Sequence, residues 1–118
     1  MVDHSKFLNK QMYVYFSTPV KPSEEVAKML PAHLEYQVEL EKKGIMFGAG
    51  PMFQKGADAP GRGMIIVRAD SFEEADKIAA ADPMHSSGAR KARVRPWLLN
   101  EGTINLKITY SDGGREIS

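Results

Sequence analysis

Residues 45–68 read IMFGAGPMFQKGADAPGRGMIIVR, two apolar runs flanking a Gly-, Pro- and Asp-containing linker. Ile45–Phe53 and Gly63–Arg68 are short, β-branched or aromatic, and too closely spaced for a helix between them, so they predict two strands joined by a long hairpin loop over residues 54–62. With almost no apolar anchor, that loop is expected to be more mobile than its strands and to act as a lid. Working outward, QMYVYFS at residues 11–17 predicts a strand that ends at Thr18-Pro19. Ser23, with Glu24 and Glu25 behind it, predicts a helix N-cap, and Val26, Leu30, Leu34, Gln37 and Val38 recur at helical spacing until Gly44. Pro31 predicts a kink or fresh start within that helix. Ser71-Phe72-Glu73-Glu74 reads as a capping box, with Phe72, Ala75, Ile78 and Ala79 as the apolar stripe of a second helix that runs to Asp82-Pro83. A turn at MHSSG, a strand over residues 89–99, a further strand over Thr103 to Tyr110 and a frayed tail SDGGREIS complete the chain.

The order β, α, β, β, α, β with an extra C-terminal strand predicts an α+β, ferredoxin-like βαββαβ fold with both helices on one sheet face. The 118 residues suit a single domain over 1–118, with an ordered core of about 11–110. Strands two and three are apolar at successive positions, a pattern of burial on both faces. A second copy is the simplest cover for the open face, so a homodimer or higher homo-oligomer is expected.

Composition removes several functions. The chain has no cysteine, hence no disulfide, thiolate nucleophile or Cys-based metal site. Basic and acidic residues balance, seven against seven in residues 1–59 and nine against eight in 60–118, so no nucleic-acid partner is expected. No run approaches the roughly 20 apolar residues of a membrane span, and MVDHSKFLNK offers no signal-peptide core; the reading is a cytoplasmic protein without a membrane partner.

His33 lies on the apolar stripe of the first helix, three residues after Leu30 and four before Gln37. An enclosed imidazole there suits acid/base work, although a hydrogen-bonded core His has the same signature. Asp82 lies on the stripe of the second helix, at the end where the macrodipole disfavours a carboxylate, and such local conflicts mark functional sites. It is equally a plain helix terminator. Both helices pack on one sheet face, so His33 and Asp82 are placed to meet, the carboxylate accepting from one ring nitrogen. His85 admits a metal-ligand reading with that pair, but its place in a turn favours substrate contact. Ser17, Gly50, Pro83 and His85 are the expected substrate contacts. Gly48-Ala49-Gly50-Pro51 lacks the following helix a dinucleotide site needs and reads as a bend that lets a ligand approach. In the basic stretch GARKARVR, Lys91, Arg93 and Arg95 share one strand face and Ala92 and Val94 the other; the basic face reads as solvated or as a dimer edge, with an anion- or RNA-binding stripe as the alternative, and Trp97 reads as core or interface packing.

His33, the stretch GIMFGAGP, the segment SFEEADKIAAADP, and RVRPW with the strands after it make the chain resemble the YciI-like (YCII-related) family of small dimeric α/β barrel proteins over residues 11–110. The resemblance implies a ferredoxin-like dimer, a cavity between helices and sheet, a His-Asp dyad at His33 and Asp82 for proton transfer, and no metal or organic cofactor. The best-understood activity of that family is dehydrochlorination of a hydroxylated chloro-hydroquinone. The leading expectation is therefore a small cofactor-independent lyase- or hydrolase-type enzyme acting on a small cyclic or carbonyl-bearing metabolite. The alternatives are a non-catalytic ligand-binding or interaction module, and a cofactor-free oxygenase. The C-terminal extension NEGTINLKITYSDGG departs from the shortest members of the family.

Overall fold

A computed structural model describes residues 1–111 and 113–118. By its internal contacts the chain divides into two units, Gln11–Leu98 and a second made of Met1–Lys10 with Leu99–Ser118.

The larger unit carries β1 (Lys10–Pro19), α1 (Ser23–Lys42), β2 (Met46–Met52), β3 (Arg62–Val67), α2 (Phe72–Ala81), α3 (Pro83–Ser86) and β4 (Arg90–Leu99), the outermost residues of β1 and β4 belonging to the other unit. The strands form one sheet in the order β2-β3-β1-β4. β3 runs antiparallel to both neighbours, with Tyr15 opposite Ile65 and Ala49 also opposite Ile65, and a register shift between Met46 and Gly48. Each helical connection thus skips one strand, and the expected ferredoxin-like α+β arrangement is present.

Period-two alternation decides which side chains meet the helices. Tyr13, Tyr15, Ile65, Val67 and Val94 cluster with Ala75 and Ala79 of α2 in the buried core. Those two alanines are small enough to let α2 approach the sheet closely. The expected Ser71 cap forms, Ser71 Oγ accepting from Glu74 N–H at 3.1 Å, while Glu74 Oε2 reaches one residue past the cap and accepts from Asp70 N–H at 2.9 Å.

Four local expectations are corrected. α1 runs through Pro31 with no fresh start there, and Ser23 is its first residue instead of its cap, the cap position being Pro22 with no side-chain bond. A single missing donor does not end a helix held on both sides by packed turns. The stripe Leu30, Leu34, Val38 is not the buried one: these residues are 45–50% exposed, whereas the inward line is Met29, His33, Tyr36 and Leu40, of which Leu40 is 4% exposed. The residues after Asp82 form a helical turn, α3, instead of an irregular one.

In the second unit, β5 (Leu106–Ile108) pairs antiparallel with β6 (Arg115–Ile117) in a separate two-stranded sheet. Thus the expected strand over 103–110 is shorter, and part of the tail expected to fray is paired. Gly113, at φ +66°, permits the reversal that lets Thr109 N–H bond Gly114 C=O at 2.8 Å. Among the described residues no helix is long and apolar enough to cross a membrane.

Candidate functional site

The site begins with a helix junction. α2 stops at Ala81, and Asp82 takes extended dihedrals (φ −63°, ψ 129°) that the following proline favours. Pro83 then opens α3, where its missing N–H is no loss. Asp82 Oδ1 accepts from Met84 N–H at 2.9 Å, so this carboxylate is the N-cap of α3. The expected conflict with the α2 dipole is thereby answered: the same residue that ends one helix starts another, whose amide end favours negative charge.

Capping uses part of Asp82. His33, from the middle of α1, reaches it with Nδ1 at 2.7 Å from Oδ2 and 3.0 Å from Oδ1. Asp82 has no exposed surface, and the His33 side chain is 15% exposed. A carboxylate only accepts, so Nδ1 carries the hydrogen and Nε2 is left for other partners. Tyr36, one turn further along α1, donates to Ile78 C=O at 2.6 Å and holds α1 to α2 beside the pair. Burial, reinforced by the Asp82 charge, pushes its phenol pKa up. Tyr15 lies wholly buried beneath, its hydroxyl without a partner among the described residues, and burial foremost keeps it protonated far above neutrality.

A second chain of bonds stands next to the first. His85 Nδ1 lies 2.7 Å from Ala79 C=O, and a carbonyl cannot donate, so Nδ1 carries the hydrogen. Burial, the largest influence, draws the His85 pKa below its ordinary 6.5. In the neutral ring Nε2 is therefore an acceptor, and the Ser17 hydroxyl donates to it at 2.7 Å. Ser17 Oγ in turn accepts from Arg90 Nε at 2.9 Å, and an Arg90 Nη group donates to Ser17 C=O at 2.6 Å. The proton directions along Arg90, Ser17, His85 and Ala79 are thus fixed end to end.

His33, Ser17 and Arg90 all line one cavity of about 370 Å³. Its walls are mostly apolar, with Val26, Leu30, Leu34, Ile65 and Met84 prominent, and Gly50 and Gly63 bring bare backbone to it. The size is that of a small-ligand pocket. Of the expected site residues, His33, Ser17 and Gly50 are at the cavity. Asp82 stands behind His33, His85 behind Ser17, and Pro83 is in α3 and not among the lining residues. The metal reading of His85 is not formed, because both its ring nitrogens are engaged elsewhere. Among the described residues no group of three or more His, Cys, Asp or Glu side chains is placed to hold a metal ion.

Arg90 was not among the expected site residues. Its signal was strand parity: Arg90 shares a face with Ala92 and Val94, and Val94 is in the core, whereas Lys91, Arg93 and Arg95 share the exposed face. The expected division of the strand into two faces begins at Lys91 and leaves Arg90, the first residue of β4, on neither.

The fold and the site together describe a small ferredoxin-like protein with a His–Asp pair at the wall of a helix-to-sheet cavity. The chain belongs to the YCII-related domain family, whose model matches residues 11–98. YjpA, an uncharacterized protein of Bacillus subtilis, is 32% identical over 92 residues, covering 76% of this chain and all of YjpA. Among solved structures, the 5-chloro-2-hydroxyhydroquinone dehydrochlorinase TftG of Burkholderia phenoliruptrix, in complex with 2,5-dihydroxybenzoquinone, superposes with a TM-score of 0.57 at 17% identity. That match covers 73% of this chain and 92% of TftG, and it establishes the likeness of fold.

Proposed function

We propose that this protein is a cofactor-independent enzyme that uses His33, assisted by Asp82, to move a proton on a small cyclic or carbonyl-bearing metabolite held in the cavity, in an elimination or a hydrolysis. The observation that carries this reading is the 2.7 Å bond between His33 Nδ1 and a carboxylate with no exposed surface, behind a ring that lines the cavity. Asp82 fixes the tautomer, which leaves Nε2 as the basic lone pair of a ring that lines the cavity. In an elimination, Nε2 takes a proton from carbon, the C–H electrons form the new double bond, and the leaving group departs with its own pair. The imidazolium then stands against the Asp82 carboxylate and returns its proton to solvent or product. The dehydrochlorinase activity named for TftG is chemistry of this type and supports the reading.

The active species is proposed to be a homodimer. Leu30, Leu34, Val38 and Phe47 are 42–50% exposed in the single chain, an apolar surface that a second copy would cover. The solution mass is expected to be at least twice 13.1 kDa, and a stable monomer at micromolar concentration would refute the dimer.

The test of the catalysis is chloride release from chlorinated hydroxyhydroquinones, together with carbon-bound hydrogen exchange in D₂O for unchlorinated ring and carbonyl compounds. His33→Ala, Asp82→Ala and the double variant are expected to lose similar, non-additive amounts of rate. Undiminished turnover in His33→Ala would overturn the proposal.

A further inference from the structure

The cavity carries a charge asymmetry that the proton-transfer reading does not use. Among its lining residues there is no Asp or Glu, and the cations are Arg62 and Arg90, with His33 as a potential third. Arg62 has its guanidinium over the Phe16 ring, 5.3 Å from the centroid. Neither arginine forms an ion pair among the described residues, where the pairs are His33–Asp82 and Lys42–Glu39, but Arg90 alone of the two is held in place by hydrogen bonds to Ser17.

Its five N–H groups can be accounted for. Nε donates to Ser17 Oγ, and Nη2 points to Ser17 C=O at 2.6 Å and, more weakly, to Gly61 C=O at 3.4 Å. These bonds hold the plane of the guanidinium and leave Nη1 with two donors and no partner among the described residues. Ser17 cannot take over that role, because its own hydrogen goes to His85. Burial lowers the Arg90 pKa, the sign of a cation partly withdrawn from water without a carboxylate close enough to make up for it.

We infer that the cavity takes a small organic anion, with Arg90 Nη1 binding its carboxylate or ring oxyanion and the apolar walls of Val26, Leu30, Leu34 and Ile65 enclosing its hydrocarbon or aromatic body. This names the substrate class of the site proposed above and rests on the same cavity, but not on proton transfer by His33. The geometry is that of a pre-oriented donor: a guanidinium fixed by two backbone carbonyls and a serine need not be reorganised when the anion arrives. Charge-assisted bonds of this kind are the strong ones in a half-enclosed site.

The experiment is calorimetric or NMR titration with benzoate, 4-nitrophenolate and benzamide, which share a ring but differ in charge. In the wild type at least one anion is expected to bind about tenfold or more tightly than neutral benzamide. In Arg90→Gln that preference is expected to vanish while benzamide binding stays, and Arg90→Lys is expected to restore part of it. Preference for benzoate alone assigns a carboxylate substrate, and preference for 4-nitrophenolate alone assigns a phenolate or enolate. No preference for either anion in the wild type, a comparison that needs no variant to fold, would overturn the inference; so would a preference that persists in a folded Arg90→Gln. Anion preference without hydrogen exchange or turnover removes the catalytic reading and leaves this one, and turnover without anion preference does the reverse.

Discussion

Asp82→Ala removes two things at once, and the structure separates their sizes. The first is the N-cap of α3, the bond from Met84 N–H, whose loss costs about 0.5–2 kcal/mol. The second is the acceptor for His33 Nδ1–H, a largely enclosed donor whose abandonment costs about 1–3 kcal/mol. No charge is stranded, because His33 can remain neutral once the carboxylate is gone, so the larger cost of breaking a buried ion pair does not apply. Together the two ranges span about 1.5–5 kcal/mol, with a central expectation of about 3 kcal/mol. With a denaturant slope of about 1–3 kcal/mol per molar urea for a small domain, the unfolding midpoint should drop by about 1–2 M at constant slope. Asp82→Asn keeps a side-chain oxygen for the Met84 amide, and its NH2 can donate to His33 Nδ1 once the ring takes the Nε2–H tautomer, so it should lose about 1 kcal/mol or less. Under the proton-transfer proposal it should still lose rate, since that tautomer has no lone pair on Nε2 and an amide does not hold an imidazolium as a carboxylate does. Urea titration of wild type and both variants, followed by circular dichroism, measures this. A loss under about 1 kcal/mol in Asp82→Ala, or equal losses in the two variants, would refute the assignment of Asp82 as both cap and partner.

The remaining predictions concern groups behind the cavity wall. Burial holds the His85 pKa below 6.5 in the fold, so as pH falls through 6.5 the unfolded chain takes up a proton that the native site resists. Stability should then fall with acidification from about pH 6.5 downward until the native His85 also titrates; His85→Gln should flatten that slope in urea midpoints measured between pH 7.5 and 5.5, and an unchanged slope would count against it. Tyr15→Phe removes a wholly buried hydroxyl with no partner among the described residues, so it should be neutral or stabilising by up to about 1–2 kcal/mol. A loss above about 1 kcal/mol in the same titration would show that the hydroxyl has a stabilising role.

Much of this fold was legible because strand parity and helix capping are local signals. Tyr13, Tyr15, Ile65, Val67 and Val94 share one sheet face by the period of two, and Ser71 with Glu74 marks a helix start by chemistry that needs no tertiary context. The face of α1 was not legible in the same way. Val26, Leu30, Leu34 and Val38 form one helical stripe, Met29, His33, Tyr36 and Leu40 another, and hydrophobicity alone favours the first. The second turns inward because Tyr36 and His33 find acceptors there, Ile78 C=O and Asp82, which lie 42 and 49 residues further along the chain. Proximity of His33 and Asp82 followed from both helices packing on one sheet face. The cap on α3 did not, because a four-residue helix has too little periodicity to declare itself. Arg90 escaped notice for a further reason: a charge run is read as surface, and only its parity with Val94 says otherwise.

The two histidines at the site are tethered alike and differ in what tethers them, which is the argument for dividing their roles. Each engages an oxygen through Nδ1 at 2.7 Å, His33 a carboxylate and His85 a main-chain carbonyl. Each therefore presents Nε2 away from its tether. A proton arriving on His33 Nε2 creates a cation beside a full negative charge, whereas one arriving on His85 creates a cation in an enclosed place, faced by a neutral carbonyl and near the Arg90 guanidinium, which disfavours it. His85 is thus suited to staying neutral and holding the Ser17 hydroxyl, which in turn holds Arg90. His33, held by a carboxylate instead, is the one the proposal assigns to proton transfer. One chain of bonds would then orient the cation that receives the ligand and the other would move the proton, and Asp82, buried between α2 and α3, is the residue that makes the second chain differ from the first.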